Sequence, residues 1–363
     1  MNSTYYKSII ENTKVPFWLP TDKKGKRYSE IKNLVTMNIP RSLYRFRSCL
    51  ERNFSAFYND ELWFANGTSM NDDFDARLYY NKDEIVESFK ATVGDDGVLK
   101  IITDLLSQDN IPKEVNELFP NISVICKNLK RLDKENLIRI SQELLQFLLS
   151  NLDEELYDAV EKIRKCIKFA CFSEKIYSDM MWGQYGDNAT GFALEYEFGN
   201  QNVFKTKYAN GLEYKTWVNL FPIVYDNQRL DTTEYATYIF KIRILEELMN
   251  RADINYDTNW INSIVPCPDE FMSTKLALIK SKEWSHEKEW RLFYVTDNNV
   301  WAQQEYTCVK YKPSGVCLGR KISPINQKII MDIAISKNIP VYKMKIDNNS
   351  RTYRLKKCKL ESI

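Results

Sequence analysis

Histidine is nearly missing from this chain: among 363 residues His286 is the only one. That scarcity excludes a His-rich metal site and leaves one position for Ser-His or Cys-His catalysis. Paired cysteines are missing too. The eight cysteines, at 49, 126, 166, 171, 267, 308, 317 and 358, include no Cys-x-x-Cys, which removes zinc ribbons and iron–sulfur clusters and predicts free, mostly buried thiols. No apolar run approaches the roughly 18 residues of a membrane span, and the N-terminus lacks the hydrophobic stretch of a secretion signal. The sequence therefore reads as a soluble, cytoplasmic protein without a membrane partner. An excess of one charge is lacking as well. With 51 basic against 49 acidic side chains, the net charge is +2 with histidine neutral, which argues against a broad surface for coating nucleic acid or lipid while leaving room for local patches. Eleven glycines and eleven prolines are too few for a disordered chain.

Nucleotide and hydrolase fingerprints are absent: there is no Gly-x-Gly-x-x-Gly, no P-loop Gly-Lys-Ser/Thr and no Gly-x-Ser-x-Gly, so Rossmann, P-loop and α/β-hydrolase folds lose their usual support. What is present is a set of strand-like and helix-like segments. After a polar lead-in, Leu43 to Arg47 alternates as a half-buried strand does, a turn or helix over Glu51 to Asn59 returns the chain, and Glu61 to Ala65 forms a second strand. From 83 to 165 the apolar residues recur at helical spacing, as at Ile85, Val86, Phe89 and Val93 or Leu156, Val160 and Ile163. Strand character returns at Ile167 to Ser173, Gly191 to Phe198, Trp290 to Thr296, Tyr306 to Tyr311, Gly315 to Leu318, Val341 to Ile346 and Thr352 to Lys356. Helices are expected around Tyr238 to Met249, Phe271 to Ile279 and Ser323 to Lys337. Without regular βαβ alternation the fold class is α+β, with a mixed or antiparallel, split sheet. The expected organisation is an N-terminal extension (1–42), a core domain (43–82 and 166–363) and a helical insertion (83–165), the insertion being a packed subdomain or a dock for a protein partner.

Four clusters place polar groups among aromatic or apolar neighbours, where polar groups need partners or a purpose. In Tyr44-Arg45-Phe46-Arg47, alternation puts both arginines on one face, able to grip a pyrophosphate or to pair with carboxylates at the sheet edge. In Asn71-Asp72-Asp73-Phe74-Asp75, the aspartates could bind a divalent cation such as Mg²⁺, with Asp72 and Asp75 as ligands, or bond their own backbone or salt-bridge the arginines. Trp182 to Asn188 offers Trp182 and Tyr185 as stacking rings in a glycine-bearing loop, or as an aromatic plug. In Trp284 to Arg291, Glu287 and Glu289 point the same way if extended; a carboxylate there can stabilise a developing cation, or the run is a solvated one.

These four motifs, in the order LYRFRS, LWFANGTSMNDDFD, CFSEKIYSDMMWGQYGDNATGFALEYEF and KSKEWSHEKEWRLFYV, resemble those of a bacterial family catalogued as domain of unknown function twenty-nine seventy-one. The loop expected as Phe-Asn-Asp-Pro-Phe is here Met70-Asn-Asp-Asp-Phe74, and the helical insertion is expanded. The opening strands and the Glu287-Lys288-Glu289 run also resemble those of ADP-ribosyltransferases. That second resemblance implies NAD as a substrate on a split sheet, with Tyr44, Arg45, Arg47, Asn71, Ser173, Trp182, Tyr185 and Asn188 as its binding set. It implies that Arg45 or Arg47 holds the pyrophosphate or nicotinamide ribose, and that Trp182 or Tyr185 stacks on nicotinamide. Glu289, with Glu287 and Arg291 beside it, is the implied catalytic centre, stabilising an oxocarbenium-like transition state. The expected activity is transfer of ADP-ribose to a macromolecular target, protein or nucleic acid, as a toxin or anti-phage defence effector. A Mg²⁺-dependent nuclease and a non-catalytic sensing or binding module of a defence system are the alternatives.

Overall fold

The computed structural model describes residues 3–90, 134–198, 203–207, 213–251, 265–294 and 307–360. Its strands are β1 (Leu43–Arg47), β2 (Glu61–Asn66), β3 (Lys168–Ser173), β4 (Phe192–Tyr196), β5 (Val203–Lys207), β6 (Glu213–Pro222), β7 (Val224–Asp226), β8 (Ile279–Ser281), β9 (Glu289–Tyr294), β10 (Thr307–Lys310), β11 (Gly315–Leu318), β12 (Val341–Ile346) and β13 (Leu355–Lys359). Eleven of them form one sheet in the order β13-β12-β11-β4-β1-β3-β9-β6-β5, with β2 joined to β3 and β10 joined to β2. Only β11 and β12 run parallel in that sheet; β7 and β8 form a separate parallel pair. The class is α+β, and the sheet is largely antiparallel.

The sheet is split. One edge of β3 is fully paired to β9, from Phe169↔Phe293 to Ser173↔Glu289. On its other edge β1 meets it only at Tyr44↔Ser173, whereas β2 meets it at Ala65↔Phe169 and Asn66↔Lys168. Among the described residues, Ala170, Cys171 and Phe172 pair with neither. At about 3.3 Å per residue, this leaves a wedge on the order of 10 Å long between β1 and β2, and Arg45 and Arg47 lie on the strand that splays away.

Buried side chains form one large core and three smaller clusters. Leu43, Phe57, Phe64, Phe169, Phe172, Phe192, Tyr196, Leu292 and Val316 belong to the large one, which also takes in Tyr6, Ile10, Ile31 and Val35. The polar lead-in is thus two helices, Ser3–Asn12 and Thr21–Thr36, whose narrow apolar stripes pack on the sheet. The helices Lys82–Lys90, Lys134–Ser150 and Leu152–Cys166 confirm the helical periodicity of the central block. Val93 and the connectors at 94–97 and 110–112 lie outside the described residues. Ile85, Phe89, Leu144, Leu148 and Leu156 share a second core with Ala236, Phe240, Leu245 and Met249 of the helix Thr233–Arg251, so the block packs against a helix far along the chain. No described helix is long and apolar enough to cross a membrane. The seven described cysteines are free, yet only Cys317 is buried; Cys166 is exposed and the rest are half-buried. The expectation of mostly buried thiols fails because strand positions such as Cys308 and Cys358 fall near sheet edges.

Candidate active site

Strand alternation in β1 sends Phe46 into a small core against Trp182 and turns Arg45 and Arg47 to the opposite face. Arg45 Nη2 donates to the Trp63 carbonyl at 2.6 Å, and its guanidinium carbon lies 5.8 Å from the centre of the Phe172 ring. Its Nε and Nη1 are buried without a hydrogen-bond partner. Arg47 Nη1 donates only to the neighbouring Phe46 carbonyl. Among the described residues neither arginine has a carboxylate partner. Burial lowers the affinity of Arg45 for its proton, and burial followed by repulsion from Arg45 brings Arg47 down to about 9. Two cations held this way form a receptor for an anion. They line a 680 Å³ cavity with Arg52 and the half-exposed ring of Trp63.

The same arginines also line a 490 Å³ cavity whose other wall is acidic, formed by Glu287 and Glu289 together with Lys280, Tyr185, Ser173 and Asn71. Glu287 ends a short 3-10 helix (Lys282–Glu287), Lys288 turns left-handed at φ 45°, and Glu289 opens β9. The two glutamates are therefore not in one extended run. Their carboxylates converge through Lys280, whose Nζ lies 2.7 Å from Glu287 Oε2 and 3.4 Å from Glu289 Oε2. Both acids are buried, at 3% and 6% exposure, which excludes a solvated charge run. Arg291 binds Glu289 through Nε at 2.8 Å and Asp75 through Nη1 and Nη2 at 2.7 and 2.5 Å. Burial would raise the Glu289 carboxyl, but Arg291 and then Lys280 bring it down to about 2, so it is ionised. Burial would depress Lys280, but Glu289 and its acidic neighbours hold it above its usual value. Three carboxyl groups against two cations leave this wall with one acid in excess.

Tyr185 donates its hydroxyl to Glu287 and accepts from Asn71 Nδ2 at 3.0 Å. Burial first, then Glu287, pushes its phenol well above the ordinary value, so it stays a donor. Ser173 Oγ donates to the Glu287 carbonyl at 2.5 Å, and Tyr44 donates to Glu195 Oε1 at 3.1 Å from the cavity wall.

Tyr44, Arg45, Arg47, Asn71, Ser173, Tyr185, Glu287 and Glu289 are thus brought together; other expected residues are not. Trp182 is 1% exposed, its Nε1 donates to the Ile176 carbonyl and Phe46 meets it edge-on, so it is core and leaves stacking to Tyr185. Asn188 lines a separate groove with Arg320. Arg291 is fully enclosed and outside the cavity lining; it positions Glu289 and touches no open space. Asp75 has both oxygens on Arg291, whereas Asp72 Oδ1 accepts from Phe74 N–H and its buried Oδ2 has no hydrogen-bond partner among the described residues. His286 bridges the Glu283 carbonyl and Gln184 Oε1 at the rim. Sequence reasoning missed Lys280 and Cys171, a half-buried cysteine beside Glu289. Neither has a local pattern that would mark it.

Residues 181–292 match the model of a family described as Protein of unknown function (DUF2971). The matched segment carries Tyr185, Lys280, Glu287, Glu289 and Arg291, while β1 and its arginines precede it. No curated protein and no solved structure matches the chain.

Proposed function

We propose that the cleft binds NAD⁺ and transfers its ADP-ribose to a macromolecular acceptor. The observation that carries this reading is the separation of charge within one cavity: half-buried arginines without carboxylate partners among the described residues on one wall, and an acidic pair on the other. NAD⁺ has the matching polarity, a diphosphate anion at its centre and a cationic nicotinamide ring at one end. In this reading Arg45 and Arg47 hold the diphosphate and Tyr185 packs on nicotinamide. The ribose C1–nitrogen bond breaks with its electron pair going to nicotinamide, leaving an oxocarbenium-like ribose facing Glu289 and Glu287. Their fixed negative charge stabilises that developing cation without reorganisation. The acceptor then bonds to C1 and gives up its proton.

Nicotinamide release from NAD⁺, followed by mass spectrometry of cell components for added ADP-ribose, tests the reading. Glu289→Gln and Glu287→Gln should each slow release about 10²–10³-fold, as loss of an electrostatic stabiliser does. Arg47→Ala should abolish the thermal stabilisation by NAD⁺ while leaving the ligand-free melting temperature unchanged or higher, since it removes an unpaired cation. No release and no NAD⁺-dependent shift in the wild type would overturn it.

A further inference from the structure

The near-neutral charge of the whole chain conceals a segregated one. From Val341 to Leu360 there are seven basic side chains and a single acid, Asp347, and this stretch folds as the β12–β13 hairpin at the outer edge of the sheet. Lys343 donates to Gln327 and Lys357 to Glu195. The other five, Lys345, Arg351, Arg354, Lys356 and Lys359, are exposed and have no acidic partner among the described residues. Lysines on an edge strand have an ordinary use in blocking edge-to-edge pairing, but two features exceed it. Lys345 and Lys356 are directly cross-strand partners, a placement in which like charges repel. Tyr353, between Arg351 and Arg354, is 111% exposed, so none of the described residues covers its ring. The turn that presents it is ordered, with Asp347 N–H donating to the Arg354 carbonyl at 2.9 Å and the Ser350 and Thr352 hydroxyls 2.9 Å apart.

We propose that this hairpin is a docking site for single-stranded nucleic acid, with Lys345, Lys356 and Arg354 on successive phosphates and Tyr353 stacked on a base. Cations that track a backbone beside an aromatic face are the general solution for binding single strands with little sequence preference. A duplex would leave the ring idle, and a lipid surface would call for a wider apolar face than Tyr353 and Ile346 offer. The hairpin is linked to the cleft wall through side chains. Lys357 reaches Glu195 across β12 and β11, where Gly315 of β11 has no side chain to obstruct it, and Glu195 holds Tyr44. The docking site stands on the hairpin alone, whatever reaction the cleft performs.

The test is fluorescence anisotropy of a labelled oligothymidine of about 20 nucleotides with the full chain, between about 50 and 200 mM KCl. Binding should weaken with salt, and Lys345→Gln/Lys356→Gln should flatten the log–log slope by about 1.4. Tyr353→Ala should weaken binding roughly 5- to 100-fold with the slope unchanged, and Tyr353→Phe should retain it. All three substituted positions are exposed, so melting temperatures should stay close to that of the wild type. Failure of the wild type to bind at the lowest salt would overturn the proposal, as would wild-type binding by Tyr353→Ala and by the double lysine variant. So would tighter binding to phosphatidylserine vesicles. Concentration-dependent association of the double variant with unchanged oligonucleotide affinity would assign the lysines to edge protection instead.

Discussion

Arg291 and Arg45 use a guanidinium in opposite ways. Arg291 spends all five donors on Asp75, Glu289 and the Ala277 carbonyl, whereas Arg45 is satisfied at one nitrogen. Arg291→Leu strands two buried carboxyl groups and should cost about 3–5 kcal/mol in urea unfolding; Arg45 and Arg47 have no such carboxylates among the described residues to strand. The acid limb of stability follows from Glu289. Its folded-state pKa of about 2 lies below the ordinary 4.5, so its contribution is complete above about pH 4.5 and is lost as the pH falls through about 2. Urea titrations at pH 7, 4 and 3 should show stability falling, with a shallower fall in Glu289→Gln. At this scale the arginines were legible because strand alternation fixes their face. Lys280 was not, because its value depends on where β8 lands. Trp182 was misread because the short helix Asp179–Gln184 that carries it and turns it inward reads as a glycine-bearing loop.

At the scale of elements, the cleft depends on a corner with no room for side chains. Asp187, Asn188 and Ala189 take three successive left-handed conformations, bringing Gly191 so close that an added Cβ would collide with the Arg47 carbonyl. Gly191→Ala should therefore destabilise the fold by about 2 kcal/mol or more and displace Arg47. Its melting temperature should fall, and the NAD⁺-dependent shift should be lost with it. Elements bounded by turn residues, such as β11, β12 and the helix Pro324–Ser336, were legible almost to the residue. The helix Thr21–Thr36 was not, since it buries only Ile31 and Val35 and its polar remainder resembles a loop. Three-residue strands like β7 and β8 are too short for any period to show. The wedge beside β3 is set by pairing between distant segments, which no local pattern records.

Across the whole molecule, a sequence with balanced charge folds into a protein whose charges are sorted by place. The outer hairpin is basic, the inner wall of the cleft is acidic, and the arginines stand between them. That sorting explains why composition argued only against a broad basic surface. The wedge has a mechanical consequence. β1, with β4, β11, β12 and β13, forms one leaf, and β2 with β10 forms another; both are attached to β3 at opposite ends of a single edge. β3 is then a spine with two covers, and a molecule lodged between them acts as a splint. Filling the wedge would brace the two covers against each other along the stretch where neither is hydrogen-bonded to the spine.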